Sequence, residues 1–550
     1  MSLPAALVPL RNPTFRYLWL GSVIAWLGTW LQNTGAGWLM TSLAPHPLMV
    51  SMVQAATIMP VFLLALPGGA MADIMDRRMF LIGAQIWTLG AAALLAVLML
   101  TGGMTAPLLL ALTFAIGIGS ALTAPAWSAI VPELVPRNDL VQAIALNGIG
   151  FNLTRAIGPA IAGFLIVLGG SSLAFSLYAL SILPVIAVLV MWRRSQRFTG
   201  LPREHFLSAM RAGMRFVRHT PAVQSAMART IAYSLPAAAP WAMLPLYVRQ
   251  ELGLGAGWFG LILGLMGIGG VTSGMLLPMI RGRFTRGATV LLCSALSVSG
   301  TLILAFSPHW STAAFGMFLF GLGWTAAYAT MQAAAQLACP PWVRARSLSI
   351  YQLAQNGALT LGSFAWGLLG GIIGMRPALI AAALTGALLA LGARYFRIEA
   401  VVSMPLPEAP IPARPEAPAA ELVPLLRNAR GRVMETVHYR VQPSERAAFL
   451  EVMAEVRRVR RRSGAAFWQV YENVAHPEAW LEIWSMESWV DHLREVARLS
   501  EDDRAVLTRA AVFQTDARRP ARYLAVDPQD DEGIGAPAPG AQAAPRMPGG

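Results

Sequence analysis

Apolar stretches of about 20 residues, the length a helix needs to cross a bilayer, follow one another along the first 400 residues. They lie near residues 15–41, 48–72, 79–101, 107–130, 141–168 and 172–192. A second set lies near 226–248, 257–280, 287–306, 311–337, 346–370 and 377–396. Lipid offers the backbone no hydrogen-bond partners, so a spanning segment must satisfy its own as a helix or closed barrel. The pattern therefore predicts twelve membrane-crossing helices. Buried helices of a soluble protein are the alternative, and the number of runs and the sidedness of their charges weigh against it. Residues 1–10 lack a basic stretch and the first run is long, so no cleavable leader is expected.

The polar positions between the runs alternate in charge. One set of loops carries Arg77 and Arg78, Arg137, the stretch from Arg193 to Arg229, Arg281, Arg283 and Arg286, then Arg344 and Arg346. The opposite loops (41–48, 102–106, 169–171 and 307–310) are short and nearly uncharged, apart from Arg249, Glu251 and Arg376. Basic loops stay in the cytoplasm, which places the first set there. Arg11 and Arg16 put the N-terminus inside, and an even number of crossings puts the last 150 residues inside too.

The two sets of runs also match each other at a shift of 204 residues. Gly117 and Gly119 fall on Gly321 and Gly323, Pro136 on Pro340, and Asn152 on Asn356. Gly158, Gly163 and Leu165 fall on Gly362, Gly367 and Leu369, and Arg77 on Arg281. A six-span unit is therefore duplicated. Parallel repeats of this kind place a substrate site between the halves near the midplane and let the halves rock about it.

Composition narrows the chemistry. The chain is 56% hydrophobic and 13% charged, against about 25% charged in ordinary soluble domains. It contains no lysine: all 42 basic residues are arginine. A Walker A nucleotide loop and a Schiff-base lysine are both excluded. Residues 1–400 hold 23 Arg and 7 acidic groups, a net of +16, and residues 401–550 hold 19 and 21, a net of −2. The positive excess thus belongs to the apolar part and is topogenic; it does not point to nucleic acid. Cys293 and Cys339 build neither a disulfide framework nor a zinc cluster. No cofactor and no metal site are expected.

Between the second and third runs stands Gly69-Ala70-Met71-Ala72-Asp73-Ile74-Met75-Asp76-Arg77-Arg78. It resembles the Gly-xxx-Asp-Arg-x-Gly-Arg-Arg/Lys signature of the major facilitator superfamily, departing from it at Ile74 and Asp76. The opening from Leu10 to Gly21, and Asn152-Leu153-Thr154-Arg155-Ala156-Ile157-Gly158-Pro159, look like one branch of that superfamily. The branch is the enterobactin-exporter-like, or transmembrane secretion effector, transporters. The resemblance covers about residues 10–397. It implies alternating access driven by a proton or other coupling ion, in the inner membrane of a bacterium. It also implies a latch between the halves at Gly69, Asp73, Asp76, Arg77 and Arg78, facing Arg344 and Arg346, with Gly158 and Pro159 in a second motif. A carboxylate at Asp73 or Asp76 would accept from a helix N-terminus or pair with arginine; plain topogenic charge is the alternative.

Arg155 is the one ionisable residue placed deep within a run, some 21 Å along it at about 1.5 Å per residue. A charge at that depth faces a water-filled cavity or a partner. An anionic substrate is one partner; carbonyls freed by Pro159 are another. Gln32, Asn33, Asn147, Asn152, Gln352, Gln355 and Asn356 are candidate cavity residues, and Trp324 and Tyr328 offer faces to an aromatic ligand. Packing and interhelical hydrogen bonds compete for each. Gly260, Gly264, Gly270 and Gly274 read as close-packing positions. No deep carboxylate is present to name as the proton carrier.

The expected organisation is an N-terminal six-helix bundle (1–192), a basic linker (193–225), a C-terminal six-helix bundle (226–400), a Pro-rich linker (401–432), an α+β domain (433–526) and a tail (527–550). In the basic linker Phe206, Met210, Met214 and Val217 recur at helical spacing beside Arg211, Arg215 and Arg218. That pattern predicts an amphipathic helix on an anionic inner leaflet. In the α+β domain a strand at Val437–Val441, a helix from Ser444, strands at Phe467–Glu472 and Trp480–Met486, helices from Ser488 and Ser500, and a strand at Arg522–Val526 give a ferredoxin-like order. The pattern resembles the dimeric α/β-barrel domains of antibiotic-biosynthesis monooxygenases, which implies a homodimerising or regulatory module. His438, His476 and His492 are its candidate ligand contacts.

The fold class expected is an all-α polytopic membrane protein of twelve helices in two pseudo-repeats, with a small cytoplasmic α+β domain. The function expected is ion-gradient-driven export of a small amphipathic molecule, siderophore- or drug-like. An importer of the same fold, or a membrane-tethered enzyme whose last domain acts on the transported compound, is the alternative.

Overall fold

The computed structural model describes residues 5–136, 139–192, 206–340, 343–396, 433–489, 492, 495, 499, 501–513 and 521–525. The chain divides into two units, Met1–Ser403 and Met404–Gly550.

The described part of the first unit is built from helices alone. After a short 3-10 turn come α1 (Pro13–Leu43), α2 (Pro47–Ile74), α3 (Arg77–Leu100), α4 (Ala106–Leu134) and α5 (Leu140–Met191). Next are α6 (Phe206–His219), α7 (Pro221–Gln250), α8 (Ala256–Arg283), α9 (Arg286–Ala305), α10 (Trp310–Leu337), α11 (Arg344–Ile373) and α12 (Met375–Ala393). Proline in the first turn opens α1, α2 and α7, where its missing N–H costs nothing. Asn12 and Asp76 cap α1 and α3, accepting from the backbone N–H of Phe15 and Met79.

Among the described residues ten helices are long and apolar enough to cross a membrane. One of them, Gln142–Met191, has 50 residues, about 75 Å and more than twice a bilayer's apolar core. It is broken at Gly169 and at Gly170, whose φ of +69° only glycine adopts freely. α5 is therefore two rods. The expected first span, α1, is absent from the ten because Arg16, Gln32, Asn33 and Thr34 dilute its hydropathy.

The repeat is visible in space. α4 and α10 begin at Ala106 and Trp310, and α5 and α11 at Leu140 and Arg344, each pair 204 residues apart. The matched glycines do the same work. Gly117 lets α4 approach α2 at Pro60, and Gly321 lets α10 approach α8 at Met266. Gly119 admits Thr88 of α3, and Gly323 admits Ser297 of α9. Gly158 seats α5 under Trp30 of α1, and Gly362 seats α11 against Leu235 of α7.

The halves meet along two seams, α5 with α8 and α2 with α11. A Cβ at Gly260 would lie 2.5 Å from the Pro159 carbonyl, and one at Gly267 2.7 Å from the Arg155 carbonyl. On the other seam Gly367 meets Ser51 and Gly371 meets the His46 ring. At the weakly charged end Arg249 donates to Thr41 at 2.9 Å and to Ser42, and Gln250 donates to the Pro45 carbonyl. Toward the basic end the contacts thin: a Cβ at Gly148 or Gly274 would meet no neighbouring element within 4 Å, and Ile149 and Met275 are exposed. The described contacts between the halves thus gather at the weakly charged end and thin toward the basic end.

α6 is where the helical spacing placed it, but part of its apolar face is covered by protein. Phe216 and Val217 are buried with Val223, Cys339, Val343 and Ile350, while Met214 stays exposed. Gly213 rests against Arg346 of α11. The leaflet-facing surface expected here is correspondingly narrower, because the ends of α7 and α11 occupy part of it.

The second unit holds β1 (Val433–Arg440), α13 (Arg446–Ser463), β2 (Phe467–Glu472), β3 (Ala479–Met486), α14 (Glu501–Ala511) and β4 (Ala521–Leu524). The sheet order is β2-β3-β1-β4, antiparallel throughout. Phe449, Met453 and Val456 of α13 pack on Tyr439, Trp468, Trp480 and Trp484. Gly464, at φ +121°, ends α13. Most of the helix expected from Ser488, the linker 401–432 and the segment 526–550 lie outside the described residues.

Candidate functional site

Arg155 lies in the first rod of α5, about 22 Å from its start at Leu140 and 21 Å from the break at Gly169. It is half-buried, and its Nη2 donates to Thr325 Oγ1 of α10 at 2.7 Å. The guanidinium reaches Thr325 across Gly270 of α8, where any side chain would collide with it. An arginine of the first half thus grips the second half near mid-depth. Its partner is a hydroxyl, not the carbonyls freed by Pro159, and no carboxylate pairs with it among the described residues.

The floor around Arg155 is aromatic. A narrow cleft of about 10 Å³, room for about one water, is lined by Trp30, Arg155, Pro159, Trp241, Leu263, Met266, Gly267, Trp324 and Thr325. Trp30 stacks on Trp241 at 6.4 Å between centroids, Trp241 meets Trp324 at 5.7 Å, and Trp324 meets Tyr328 at 4.6 Å. The Trp241 Nε1 donor is buried with no acceptor. A buried donor without a partner marks a place for water or a ligand group. Gly158 fixes Trp30, because a Cβ there would lie 2.7 Å from the Trp30 Cβ.

Behind this wall the second half is laced with hydroxyls. Tyr328 bonds Ser234 at 2.6 Å, Tyr233 bonds Ser297 at 2.6 Å, and Tyr351 bonds Thr230 at 2.7 Å. These bonds fix the ring orientations against which Trp324 packs.

The other polar residues read from the sequence divide. Gln32 is fully buried, and Gln32 Nε2, Asn33 Oδ1 and Asn147 Oδ1 are buried without partners. Asn152 is exposed and donates back to the Gly148 carbonyl of its own helix, and Gln352 is exposed. Asn356 is half-buried on α11. None of these lines the Arg155 cleft. Sequence reading missed Trp30, Trp241, Thr325 and Gly267, and took Gly270 for a packing position only. The signal lay in depth: Trp belongs at membrane interfaces, and Trp30 and Trp241 sit mid-span.

At the basic end each half braces itself. Arg78 donates to the carbonyls of Leu189 and Val190 at 2.7 Å each, closing the end of α5 within its own half. Asp76 caps α3, and Arg344 donates to the Cys339 carbonyl beside its own helix. The surroundings of Gly69 and the Asp73 side chain lie outside what the structure describes.

The second unit contains a buried charge network. Glu482 accepts from Tyr439, Trp468 and Arg460; Glu495 accepts from Arg460 and Trp484. Arg460 lies over the Trp484 ring at 3.6 Å. Burial disfavours its charge, but Glu482 and Glu495 outweigh burial and hold it protonated. Glu435 pairs with His492 at 2.5 Å and Arg522 at 3.4 Å. Burial raises the Glu435 pKa; the His492 hydrogen bond and the charges of His492, Arg460 and Arg522 pull it below the usual range. Glu435, His492 and Glu495 place ligand atoms within 4.8 Å of one another, the spacing of a metal site, but both carboxylates already serve arginines. His438 and His476 are exposed.

The profile of a family described as transmembrane secretion effector matches residues 4–529, the second unit included. A staphyloferrin A transporter of Staphylococcus aureus is 29% identical over 192 residues, 34% of this chain and 47% of that protein. The chain therefore spans about half the length of that relative. An enterobactin exporter, EntS, of Escherichia coli is 26% identical over 340 residues, 58% of this chain and 76% of that protein. Among solved structures, an inward-facing, unoccupied bacterial homolog of the human lysosomal transporter Spinster aligns with a TM-score of 0.55 at 14% identity. It covers 70% of this chain and 98% of its own. An inward-facing bacterial homologue of the iron transporter ferroportin gives 0.55 at 17% identity, with the same coverage. These likenesses show the fold.

Proposed function

The chain belongs to the transmembrane secretion effector family of major facilitator transporters, and from that premise we propose that it exports a small, acidic, ring-bearing amphiphile of siderophore or drug type. The observation that carries this reading is Arg155, bound to a hydroxyl across the interface between the halves and set among three tryptophans. An arginine without a carboxylate at mid-depth attracts an anion. Tryptophan faces and the free Trp241 donor suit an aromatic or hydroxylated body. The names of the two relatives favour a siderophore-like cargo and, in one, export.

Counting α5 as two rods and including α1 gives twelve crossings, with both termini in the cytoplasm by the arginine distribution. The basic end, where the contacts thin, is then the open end of an inward-open state. A substrate that replaces Thr325 on Arg155 loosens this grip of α5 on α10, and the halves rock. Asp73 and Asp76 with Arg77, Arg78, Arg344 and Arg346 form the inner latch of the opposite state. The coupling ion is a proton or another cation. The second unit is a ferredoxin-like dimerising or regulatory module: its strand order read backwards is 4-1-3-2, and its buried charges are spent on each other.

The test is transport by inside-out vesicles against a panel of chelators and amphiphilic drugs, with and without an imposed ion gradient. Gradient-dependent accumulation of an acidic compound, cut about tenfold or more by Arg155→Gln, is expected. Accumulation equal in that variant would reject the site, and uptake only by right-side-out vesicles would reverse the direction.

A further inference from the structure

A second cavity lies apart from the Arg155 cleft. It is a slot of about 250 Å³ inside the second half, walled by α7, α9 and α12 and floored by Phe320 of α10. At the basic end Arg229 and Arg394 line its mouth. Arg229 is 6% exposed, and its Nε donates to the Phe396 carbonyl at 2.6 Å. Its Nη2 reaches the Arg394 carbonyl at 3.5 Å, which leaves Nη1 without a protein acceptor. Neither arginine has a carboxylate among the described residues. Arg286, at the start of α9, buries its Nη1 without a partner.

Below the mouth the walls turn apolar. On α12 they are small, Ala382, Ala383, Gly386 and Ala390. The hydroxyls along α9 are already spent: Ser294 on the Val290 carbonyl, Ser297 on Tyr233, and Thr301 on the Ser297 carbonyl. Water entering the slot would find few open partners. From Gly287 to Thr301 the α9 wall runs about 21 Å, from headgroup level past the midplane.

We propose that this slot holds one acyl chain of an anionic phospholipid from the leaflet at the basic end, its phosphate on Arg229 and Arg394. Cationic pockets between spanning helices at that level suit acidic headgroups. The spent hydroxyls and small α12 residues suit a hydrocarbon chain and give a free anion nothing below the mouth. The lipid would wedge α9 and α12 apart within one half, away from the Arg155 cleft, and tie the stability of that half to the acidity of the membrane.

The experiment is retention by the detergent-purified full chain, read by native mass spectrometry. Phosphatidylglycerol, phosphatidylcholine and inorganic phosphate are offered in separate arms. Phosphatidylglycerol is expected to be retained over phosphatidylcholine, with phosphate retained in neither amount nor stoichiometry. Arg394→Gln, whose side chain is exposed, should weaken retention about fivefold. Ala390→Phe, which fills the slot and spares both arginines, should abolish it; Arg283→Gln, at the end of α8, should leave it unchanged. Equal retention of phosphatidylcholine would reduce the slot to an ordinary lipid contact. Retention of phosphate alone would make the mouth a free-anion site. Undiminished retention in a folded Ala390→Phe variant would overturn the proposal.

Discussion

Helices α4 and α10 begin 204 residues apart and use Gly117/Gly119 and Gly321/Gly323 for the same close approaches. Between and just beyond those glycines they differ: Ser120 of α4 stands where α10 has Trp324, Ala121 where it has Thr325, and Ala124 where it has Tyr328. The next pair repeats the lesson. Gly158 and Gly163 of α5 answer Gly362 and Gly367 of α11, but Arg155 answers Leu359. The duplicated glycines are positions at which two helices approach closely. The unmatched positions carry the cation, the ring wall and the hydroxyl that joins the halves. Framework and chemistry have separated along the same helices.

The comparison makes its largest claim at the seams. Gly163→Leu and Gly367→Leu should destabilise the protein alike, by more than about 3 kcal/mol each. Their side chains would strike the Ala256 carbonyl and Ser51, in seams too close to give. Thermal unfolding in detergent measures both; a mild effect in one half alone would break the symmetry. Next, Trp324→Ala should weaken transport about tenfold, through lost ring contacts with Trp241 and Tyr328, while Ser120→Ala at the matched position leaves it unchanged. Concentration dependence of transport separates them. Smaller still, Tyr328→Phe removes the bond to Ser234 and should cost about 1 kcal/mol of stability, with cargo affinity shifted less than by Trp324→Ala.

Much of this was legible in the chain. The spans, the repeat and the depth of Arg155 follow from hydrophobic run length, fixed register and counting. The identity of Arg155's partner was not legible, because Thr325 is 170 residues away and an ordinary hydroxyl in an apolar run. Gly260 and Gly270 read as packing residues, and Gly260 is one; Gly270 instead leaves room for a guanidinium. The aromatic wall was half read, from Trp324 and Tyr328, since Trp30 and Trp241 come from helices whose juxtaposition only the fold supplies. The width of the α6 surface facing lipid was overread for the same reason: amphipathic spacing gives a face, not what covers it.

The last unit offers the smallest effect and a contrast to the bundle, since its charges are paired. Glu435, with its pKa depressed in the fold, stabilises the unit at pH above the unfolded carboxylate value of about 4.3. That contribution should drain away as pH falls below this value toward the folded pKa. Hydrogen exchange of β1 and β3 in the full chain should quicken in that window and not between neutral pH and about 5. Glu435→Gln should remove the acid sensitivity.

The central claim is that the halves rock as rigid bodies about the Arg155 cleft. Spin labels at Ile149 and Met275 report the basic end of the α5–α8 seam, and labels at Ser42 and Gln250 report the weakly charged end. Pulsed distance measurement in lipid vesicles, with and without a transported compound, follows both pairs. The account predicts that the first pair draws together as the second separates, and that Arg155→Gln uncouples both from the compound. Distances that stay fixed, or that lengthen together, would contradict it.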